Sequence, residues 1–260
     1  MSELRELLGI AQRAALVAAD VIMPLYRSGT AVELKADRTP VTSADRGAEE
    51  ALRAFFARET PAFGVLGEEF PEVLGDGRHR WILDPIDGTK SFIHHVPLFG
   101  TLIALERDGE PVVGVIACHA AGETVSGATG CGAWLNGETQ VYTSRETDLA
   151  RATISTTSYR RWQEKHPRSY AALASCGLSR AWGDCYGYLM VATGRAEVML
   201  DPEMNIWDAA ALYPVIREAG GEITTWEGDR SVGESVAASN GPLHPQLLQM
   251  LRADFSPEDE

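Results

Sequence analysis

The sequence has no cysteines in a paired arrangement. A zinc ribbon needs C-x-x-C pairs, and a small disulfide-stabilised fold needs many closely spaced cysteines, so neither class is indicated. The core must therefore come from apolar residues, which make up 45% of the 260 positions and suffice for one large domain or two joined ones. The four cysteines, scattered through the chain, are Cys118, Cys131, Cys176 and Cys185.

Positive charge is also scarce. The chain carries 23 lysines and arginines against 37 aspartates and glutamates, a formal net charge of −14. Such a charge repels nucleic acid and anionic membranes, so we expect neither as a partner. No apolar run approaches the roughly 20 residues of a membrane span. Residues 1–5 lack the basic start of a secretory signal, which favours a soluble cytoplasmic protein.

Hydrophobic periodicity predicts a mixture of helices and strands without an internal repeat. We expect a soft boundary near residues 145–152, dividing the chain into halves 1–148 and 149–260. Polar residues 33–40 suggest a hairpin or flexible loop, and Lys35 and Arg38 are consistent with a mobile lid or with a solvated turn. Helices are predicted at 3–26, from Thr42 or Ser43 to about Arg58, and at 186–192, 207–219 and 245–251. Strands are predicted at 64–67, 81–83, 101–105, 112–117, 124–126, 133–135, 153–155, 198–200, 223–226 and 236–239.

Two carboxylates lie three residues apart where an apolar strand ends. Residues 81–89 read WILDPIDGT, which places Asp84 and Asp87 ahead of Gly88 and Thr89. Carboxylates at this spacing can face one hard cation or bridge two, since magnesium prefers oxygen ligands. A helix beginning near Thr89 would offer free N–H groups to a phosphate. Taken alone, these residues are equally consistent with an ordinary acidic turn that binds no metal.

Other acids occupy comparable positions. Glu68 and Glu69 follow the apolar segment 64–67, Asp208 begins an apolar helix, and Asp45 lies early in the second helix. Each has an ordinary explanation as a loop acid or as a helix-capping acid. All four positions together favour a site for divalent cations.

Four segments, in order along the chain, resemble the signatures of the inositol monophosphatase-like phosphatases. They are TPVTSAD at 39–45, GEE at 67–69, DPIDGT at 84–89, and WDAA at 207–210 continuing to EAGG at 218–221. The resemblance spans about residues 35–221. It implies an α+β fold, a layered αβαβα sandwich, usually assembled as a homodimer.

The resemblance also implies a metal site. The expected activity is magnesium-dependent hydrolysis of a small phosphorylated metabolite, with two or three Mg²⁺ ions. The implied ligands are Glu68, Asp84, Thr89 and the carbonyl of Ile86 for the first ion, and Asp84, Asp87 and Asp208 for the second.

Catalytic roles follow from the same resemblance. Asp45 and Thr89 would orient the attacking water and help to deprotonate it, and Glu68 would assist a third ion through water. The amides of Gly88 and Thr89 would hold the phosphate. No serine, cysteine or histidine nucleophile is required.

The substrate's leaving group is read from two further segments. Inositol-type members commonly carry two small residues after the glycine that corresponds to Gly183. Here residues 182–188 read WGDCYGY, an acidic and aromatic string that resembles the histidinol-phosphate phosphatase branch of the family. Asp201 takes the position where inositol-specific members typically carry a glutamate. Histidinol phosphate carries an ammonium and an imidazole, which carboxylates could pair with. The candidate substrate-binding residues are Asp184, Cys185, Asp201 and Glu203.

Alternatives stay open at this point. Asp184 could instead cap the helix at 186–192. Inositol monophosphate is the second candidate substrate, ahead of nucleotide 3′-phosphates and fructose 1,6-bisphosphate. Outside enzymes, a catalytically idle metal-binding scaffold and a calcium-stabilised structural protein remain possible.

Overall fold

A computed structural model describes residues 2–28, 32–34 and 40–255, and within these ranges the chain forms nine α-helices and fourteen strands. The helices are α1 Ser2–Ser28, α2 Ser43–Glu59, α3 Thr89–Ile93, α4 Tyr159–Lys165, α5 Pro167–Leu173, α6 Asp184–Ala192, α7 Ile206–Ala209, α8 Leu212–Glu218 and α9 His244–Leu251. The strands are β1 Val32–Leu34, β2 Pro40–Thr42, β3 Gly64–Gly67, β4 His79–Asp87, β5 Gly100–Arg107, β6 Glu110–Cys118, β7 Glu123–Ala128, β8 Ala133–Leu135, β9 Thr139–Gln140, β10 Thr153–Thr156, β11 Leu178–Arg180, β12 Val198–Asp201, β13 Glu222–Thr224 and β14 Val236–Ser239.

The strands form two large sheets and one small hairpin. The seven-stranded sheet has the order β3-β4-β5-β6-β7-β8-β9, with β3 and β4 parallel. The five-stranded sheet has the order β11-β10-β12-β14-β13, with β10 parallel to both of its neighbours. Strands β1 and β2 pair antiparallel, which confirms the predicted hairpin. Lys35 and Arg38, assigned to a possible lid, lie outside the described residues.

Three groups of helices alternate with the two sheets. Helices α1 and α2 cover one face of the seven-stranded sheet, and α6 and α8 lie between the sheets. On the far side of the five-stranded sheet, α4, α5 and α9 contribute Trp162, Leu173 and Leu247 to a third core cluster. These five layers confirm the predicted αβαβα arrangement.

Helix α1 is more apolar than the sequence analysis allowed for. Residues Glu3–Ser28 have a mean hydropathy of 1.5 in their most apolar window, so by length and composition the helix could cross a membrane. Here its apolar side packs on α2 and on strands β5, β6 and β7. The apolar residues are therefore used in the core, although one of them, Leu16, is 67% exposed.

The single helix predicted over 207–219 is wrong, because two helices occupy this segment. α7 ends at Ala209 and α8 begins at Leu212. Pro214 has no N–H to donate to the carbonyl of Ala210, so one hydrogen bond of a continuous helix is missing there. The break lets the backbone at Ala211 pack directly on Gly114, where a Cβ would lie 2.1 Å from the Ala211 oxygen.

The division into halves 1–148 and 149–260 stays a prediction. The seven-stranded sheet ends at β9 and the five-stranded sheet begins at β10, on either side of the predicted boundary. Helices α6 and α8 of the second half nevertheless pack on strand β6 of the first. The two halves share one of the hydrophobic clusters between the sheets.

Candidate metal centre and substrate cavity

A bulge in β4 brings the two carboxylates of the DPID string to one side. The sequence predicted a strand ending at Asp84, but β4 continues to Asp87. Asp84 of β4 pairs with Leu102 of β5, and Asp87 pairs with Gly100. The interval between the two aspartates is three residues on β4, whereas the interval opposite it on β5 is two residues. Residues three apart in a regular strand point to opposite faces, and one extra residue cancels that reversal. Pro85, which cannot donate a ladder hydrogen bond, lies within the bulge.

Three aspartates converge at this bulge. Carboxylate oxygens of Asp84, Asp87 and Asp208 all lie within 4.8 Å of one another. Asp208 comes from the first turn of α7, where it also accepts hydrogen bonds from the N–H and side-chain amide of Asn205 at 2.8 and 3.0 Å. The ordinary capping role considered for Asp208 is therefore present together with its place in the cluster.

The cluster lies in a cavity of about 500 Å³. Most of the sequence-predicted site residues line this one cavity. Its acidic lining residues are Glu68, Asp84, Asp87, Asp184, Asp201, Glu203 and Asp208, and its cationic ones are Lys90 and Arg161. Ile86, Gly88 and Thr89 also line it. An excess of carboxylates in one cavity favours occupation by cations.

Burial and mutual repulsion make the ionised cluster unstable without cations. Burial, followed by the charges of Glu68 and Asp87, raises the pKa of Asp84 well above its ordinary value. Burial and the charges of Asp184 and Asp208 likewise raise the pKa of Asp87, although the Cys185 N–H donates to its carboxylate. Oxygen-rich, negatively charged and partly preformed, this donor set fits a hard divalent cation such as Mg²⁺.

We expect Mg²⁺ to raise the melting temperature, and the gain to shrink at acidic pH. A ligand at 100 times its dissociation constant adds about 2.7 kcal/mol to the free energy of unfolding, which for a chain of this size is about 5–10 °C. Folding raises these carboxyl pKa values, so ionisation destabilises the metal-free fold, and the penalty is relieved as the pH falls. Burial raises the pKa of Asp201 to about 7 and that of Asp184 to about 6, so the share of the penalty that comes from these two carboxyls is relieved as the pH falls through those values.

Melting curves with Mg²⁺ and with a chelator, compared between about pH 8 and about pH 6, measure this effect. The variant Glu138→Gln removes an exposed acid far from the cavity and serves as the control. A shift that is absent, or that grows as the pH falls, would contradict the expectation.

Asp45 lies behind Thr89, which lines the cavity. Asp45 is 2% exposed, and its Oδ2 accepts hydrogen bonds from the N–H and hydroxyl of Thr42 at 2.8 and 2.6 Å. This capping box starts α2, so Thr42 is the N-cap. The Thr89 hydroxyl lies 3.5 Å from Asp45 Oδ1 and 3.1 Å from the carbonyl of Ile86. The same carboxylate thus caps a helix and reaches the DPIDGT turn.

Asp184 lies directly over Gly88. Gly88 has a φ of 83°, and a Cβ at this position would come within 3.1 Å of Asp184 Oδ2. The short helix α3 begins at Thr89, which meets the condition that the sequence analysis set for a phosphate-binding helix start. Asp184 itself adopts a φ of 50°, rare for a residue with a side chain, and its N–H donates to Thr157 Oγ1 at 2.8 Å. The N-cap of α6 is Gly183, so the capping role considered for Asp184 is wrong.

Cys185 does not present its side chain to the cavity. Its Sγ is buried 3.8 Å from the Sγ of Cys118, and burial raises the pKa of its thiol. What it contributes to the site is its backbone N–H, which donates to Asp87. As the second residue of α6, it points into the layer between the sheets. The prediction of a side-chain contact with substrate therefore has no support in this placement.

Asp201 forms the floor of the cavity away from the aspartate cluster. It is 4% exposed, and its oxygens accept hydrogen bonds from the Thr157 N–H at 3.0 Å and the Tyr188 hydroxyl at 2.9 Å. Within the described part of the chain, no ion pair neutralises Asp201. An ionised carboxylate can accept about four hydrogen bonds, so it keeps capacity for a ligand.

Glu203 is already neutralised at the cavity rim. It forms ion pairs with Arg161, at 2.9 Å, and with Lys165, both on α4. A substrate ammonium would have to compete with these two cations. Of the predicted cation partners, Asp184 and Asp201 are thus better placed than Glu203.

Sequence reasoning missed Thr157 and Arg161. Thr157 follows the buried strand β10, and this position after a strand was the signal that identified Glu68 and Asp84. Its position directly after a strand could therefore have identified Thr157 as a site residue. Arg161 lies on α4, which lacks a clear apolar period, so nothing in the sequence marked it.

Comparisons with known proteins agree with this geometry. The sequence profile of the inositol monophosphatase family matches residues 3–256. A histidinol-phosphatase of Chlorobaculum parvum is 42% identical over 82% of this chain and 84% of that protein. An inositol-1-monophosphatase of Caulobacter vibrioides is 36% identical over 82% of this chain and 87% of that protein. An inositol monophosphatase structure from Zymomonas mobilis, 34% identical, superposes with a TM-score of 0.84 over 95% of this chain and 98% of that one.

Proposed function

The chain belongs to the inositol monophosphatase family and is a phosphoric monoester hydrolase, and we propose that it hydrolyses histidinol phosphate to histidinol and inorganic phosphate. The observation that carries the substrate proposal is Asp201, a buried carboxylate without an ionic partner among the described residues, in the same cavity as the aspartate cluster. A substrate with an ammonium at its leaving-group end would supply that partner. Asp45 and Thr89, which an idle metal-binding scaffold would not need, lie together beside the metal centre and support an enzyme.

We propose magnesium as the metal, with two or three ions in turnover. Glu68, Asp84, Thr89 and the Ile86 carbonyl would hold the first ion, as the family resemblance implies. Asp84, Asp87 and Asp208, which the bulge and α7 bring together, would hold the second. Bound there, divalent cations would offset the charge of the phosphate dianion and acidify the attacking water.

The protein groups around the metals have separate tasks in this proposal. The Thr89 hydroxyl, which lies between Asp45 and the Ile86 carbonyl, would take a proton from the attacking water and pass its own proton to Asp45. The amides of Gly88 and Thr89 hold phosphate oxygens, and Asp184, which lies over Gly88, borders both phosphate and leaving group. Asp201 binds the ammonium end of the substrate.

We further propose a cytoplasmic homodimer that acts in histidine synthesis. The dimer rests on the family resemblance alone, and the compartment on the expectation drawn from the sequence. The place in histidine synthesis follows from the proposed substrate.

Phosphate release from histidinol phosphate and from inositol 1-phosphate tests the substrate proposal. We expect kcat/KM to favour histidinol phosphate by about 100-fold, or about 2.7 kcal/mol of transition-state discrimination, because only this ester offers a cation to Asp201. The measurement is kcat/KM for both esters with saturating Mg²⁺. A preference for the inositol ester, as the name of the Caulobacter relative suggests for that protein, would keep the hydrolase and overturn the substrate.

The variant Asp201→Asn is the matched control for this test. It keeps the shape of the side chain and an oxygen that can accept from Thr157 or Tyr188, but removes the charge. We expect a loss of about 10- to 100-fold in kcat/KM for histidinol phosphate and a much smaller loss for inositol 1-phosphate. Equal losses for both esters would mean that Asp201 only supports the fold.

A further inference from the structure

Glu49 is a buried acid that the function described so far does not use. It lies on α2, four residues after Asp45, so both carboxylates project from one face of the helix. Its side chain has no exposed surface. Burial of a carboxylate is unfavourable unless it is paired and hydrogen-bonded, so its partners show what it is for.

The partners of Glu49 belong to the turn that follows β3. Its Oε2 accepts from the N–H of Glu69 at 2.7 Å, and its Oε1 from the N–H of Phe70 at 3.3 Å. Arg53, one helical turn further along α2, donates its Nε to Glu49 Oε1 at 2.8 Å and an Nη2 to the carbonyl of Phe70 at 2.9 Å. Glu49 and Arg53 together therefore bind two backbone N–H groups and one backbone carbonyl of this turn.

Glu49 also contacts the residue at the end of β3. A Cβ at Gly67 would lie 2.2 Å from Glu49 Oε1, a distance that no side chain allows. Only glycine permits the carboxylate to lie against the backbone here. Gly67 and Glu69, the two neighbours of Glu68, are thus both fixed by Glu49.

We propose that Glu49, braced by Arg53, is a positioning residue that aims Glu68 at the metal centre. The inference rests on the proposed function, in which Glu68 is a metal ligand. Glu68 already lies close enough to Asp84 for its charge to raise the pKa of that carboxyl. Groups that orient a metal ligand matter for affinity because a misdirected carboxylate must be reoriented when the ion binds.

The variant Glu49→Gln tests this role through Mg²⁺ affinity measured by titration calorimetry. An amide keeps the size of the side chain but cannot accept from Glu69, Phe70 and Arg53 together. We expect Mg²⁺ to bind about 10-fold more weakly. The adjacent exposed acid gives a matched control, since Glu50→Gln removes the same charge one residue away and should leave affinity unchanged.

A double variant separates positioning from general support of the fold. If Glu49 acts through Glu68, the variant Glu49→Gln/Glu68→Gln binds Mg²⁺ no more weakly than Glu68→Gln alone. For Glu49→Gln alone, the KM for substrate at saturating Mg²⁺ should also stay near that of the unmodified enzyme. Additive losses would mean a structural role and would overturn the proposal.

The single variants distinguish failure of this inference from failure of the proposed function. If Glu68→Gln weakens Mg²⁺ binding and Glu49→Gln does not, the positioning role alone is wrong. If Glu68→Gln changes nothing, the metal role of Glu68 and the inference are both wrong.

A second variant is available if Glu49→Gln does not fold. Arg53→Lys keeps the charge pair but cannot reach Glu49 and Phe70 together, so we expect a several-fold loss of Mg²⁺ affinity. Unchanged affinity in that variant would overturn the proposal.

Discussion

Replacement of Asp84 by Asn should lower kcat/KM by at least about 1,000-fold, or about 4 kcal/mol, while the metal-free protein melts at a higher temperature. Asp84 is the carboxylate proposed to be shared by both ions, so its loss weakens both sites at once. Its raised pKa shows that, without cations, the ionised group destabilises the fold through burial and the charges of Glu68 and Asp87. Asn keeps an oxygen that accepts from the Ile86 N–H, as Asp84 does at 3.0 Å.

Opposite signs of the two effects make the experiment decisive. Steady-state kinetics with histidinol phosphate give the first effect, and melting curves in a chelator near neutral pH give the second. The remote variant Glu138→Gln should change neither. Lower activity together with lower metal-free stability would show that Asp84 is a structural residue and would sink its assignment as a shared ligand.

Replacement of Asp45 by Asn should lower kcat by about 100- to 10,000-fold with little change in Mg²⁺ affinity. Asp45 does not line the cavity that holds the aspartate cluster, and its Oδ1 contacts the Thr89 hydroxyl, so its proposed task is proton transfer rather than metal binding. The amide oxygen of Asn can still cap α2 by accepting from Thr42, which limits the loss of stability to about 1 kcal/mol. The measurements are kcat at saturating substrate and Mg²⁺ titration.

Thr89 provides the matched control for this prediction. The variant Thr89→Ser keeps the hydroxyl and should retain most of the activity. Thr89→Val removes the hydroxyl at similar volume and should lose about as much as Asp45→Asn or more, since Thr89 is also a proposed metal ligand. If Asp45→Asn changed kcat by no more than about twofold, proton transfer through this pair would be excluded.

Much of the site could be predicted because its acids follow buried strands or begin helices. Glu68 follows β3 and Asp208 opens α7, and these local patterns survive whatever the rest of the chain does. The five-layer arrangement followed from the order of the motifs and their resemblance to a family. The predicted helix boundary failed in residues 207–219, where Pro214, within α8, removes a hydrogen bond that would continue α7 into α8.

Other features of the site could not be predicted because they depend on contacts between distant segments. The bulge that turns Asp84 and Asp87 to one side is visible only in the pairing of β4 with β5. The orientation of Cys185 away from the cavity follows from packing between the two sheets. Neutralisation of Glu203 required α4, which periodicity did not reveal.

The sequence by itself determined which carboxylates line the cavity, because the chemistry of a hard cation requires oxygen ligands and the motifs carry them at fixed spacings. Only the tertiary structure decided where those carboxylates point and what holds them there. Glu49 illustrates the difference. Its place on a helix could be predicted from the local sequence, but its proposed positioning role depends on the contacts between α2 and the turn after β3. The burial and the hydrogen bonds of Glu49 arise from the contact between α2 and this turn, so they cannot be read from the sequence of either segment alone.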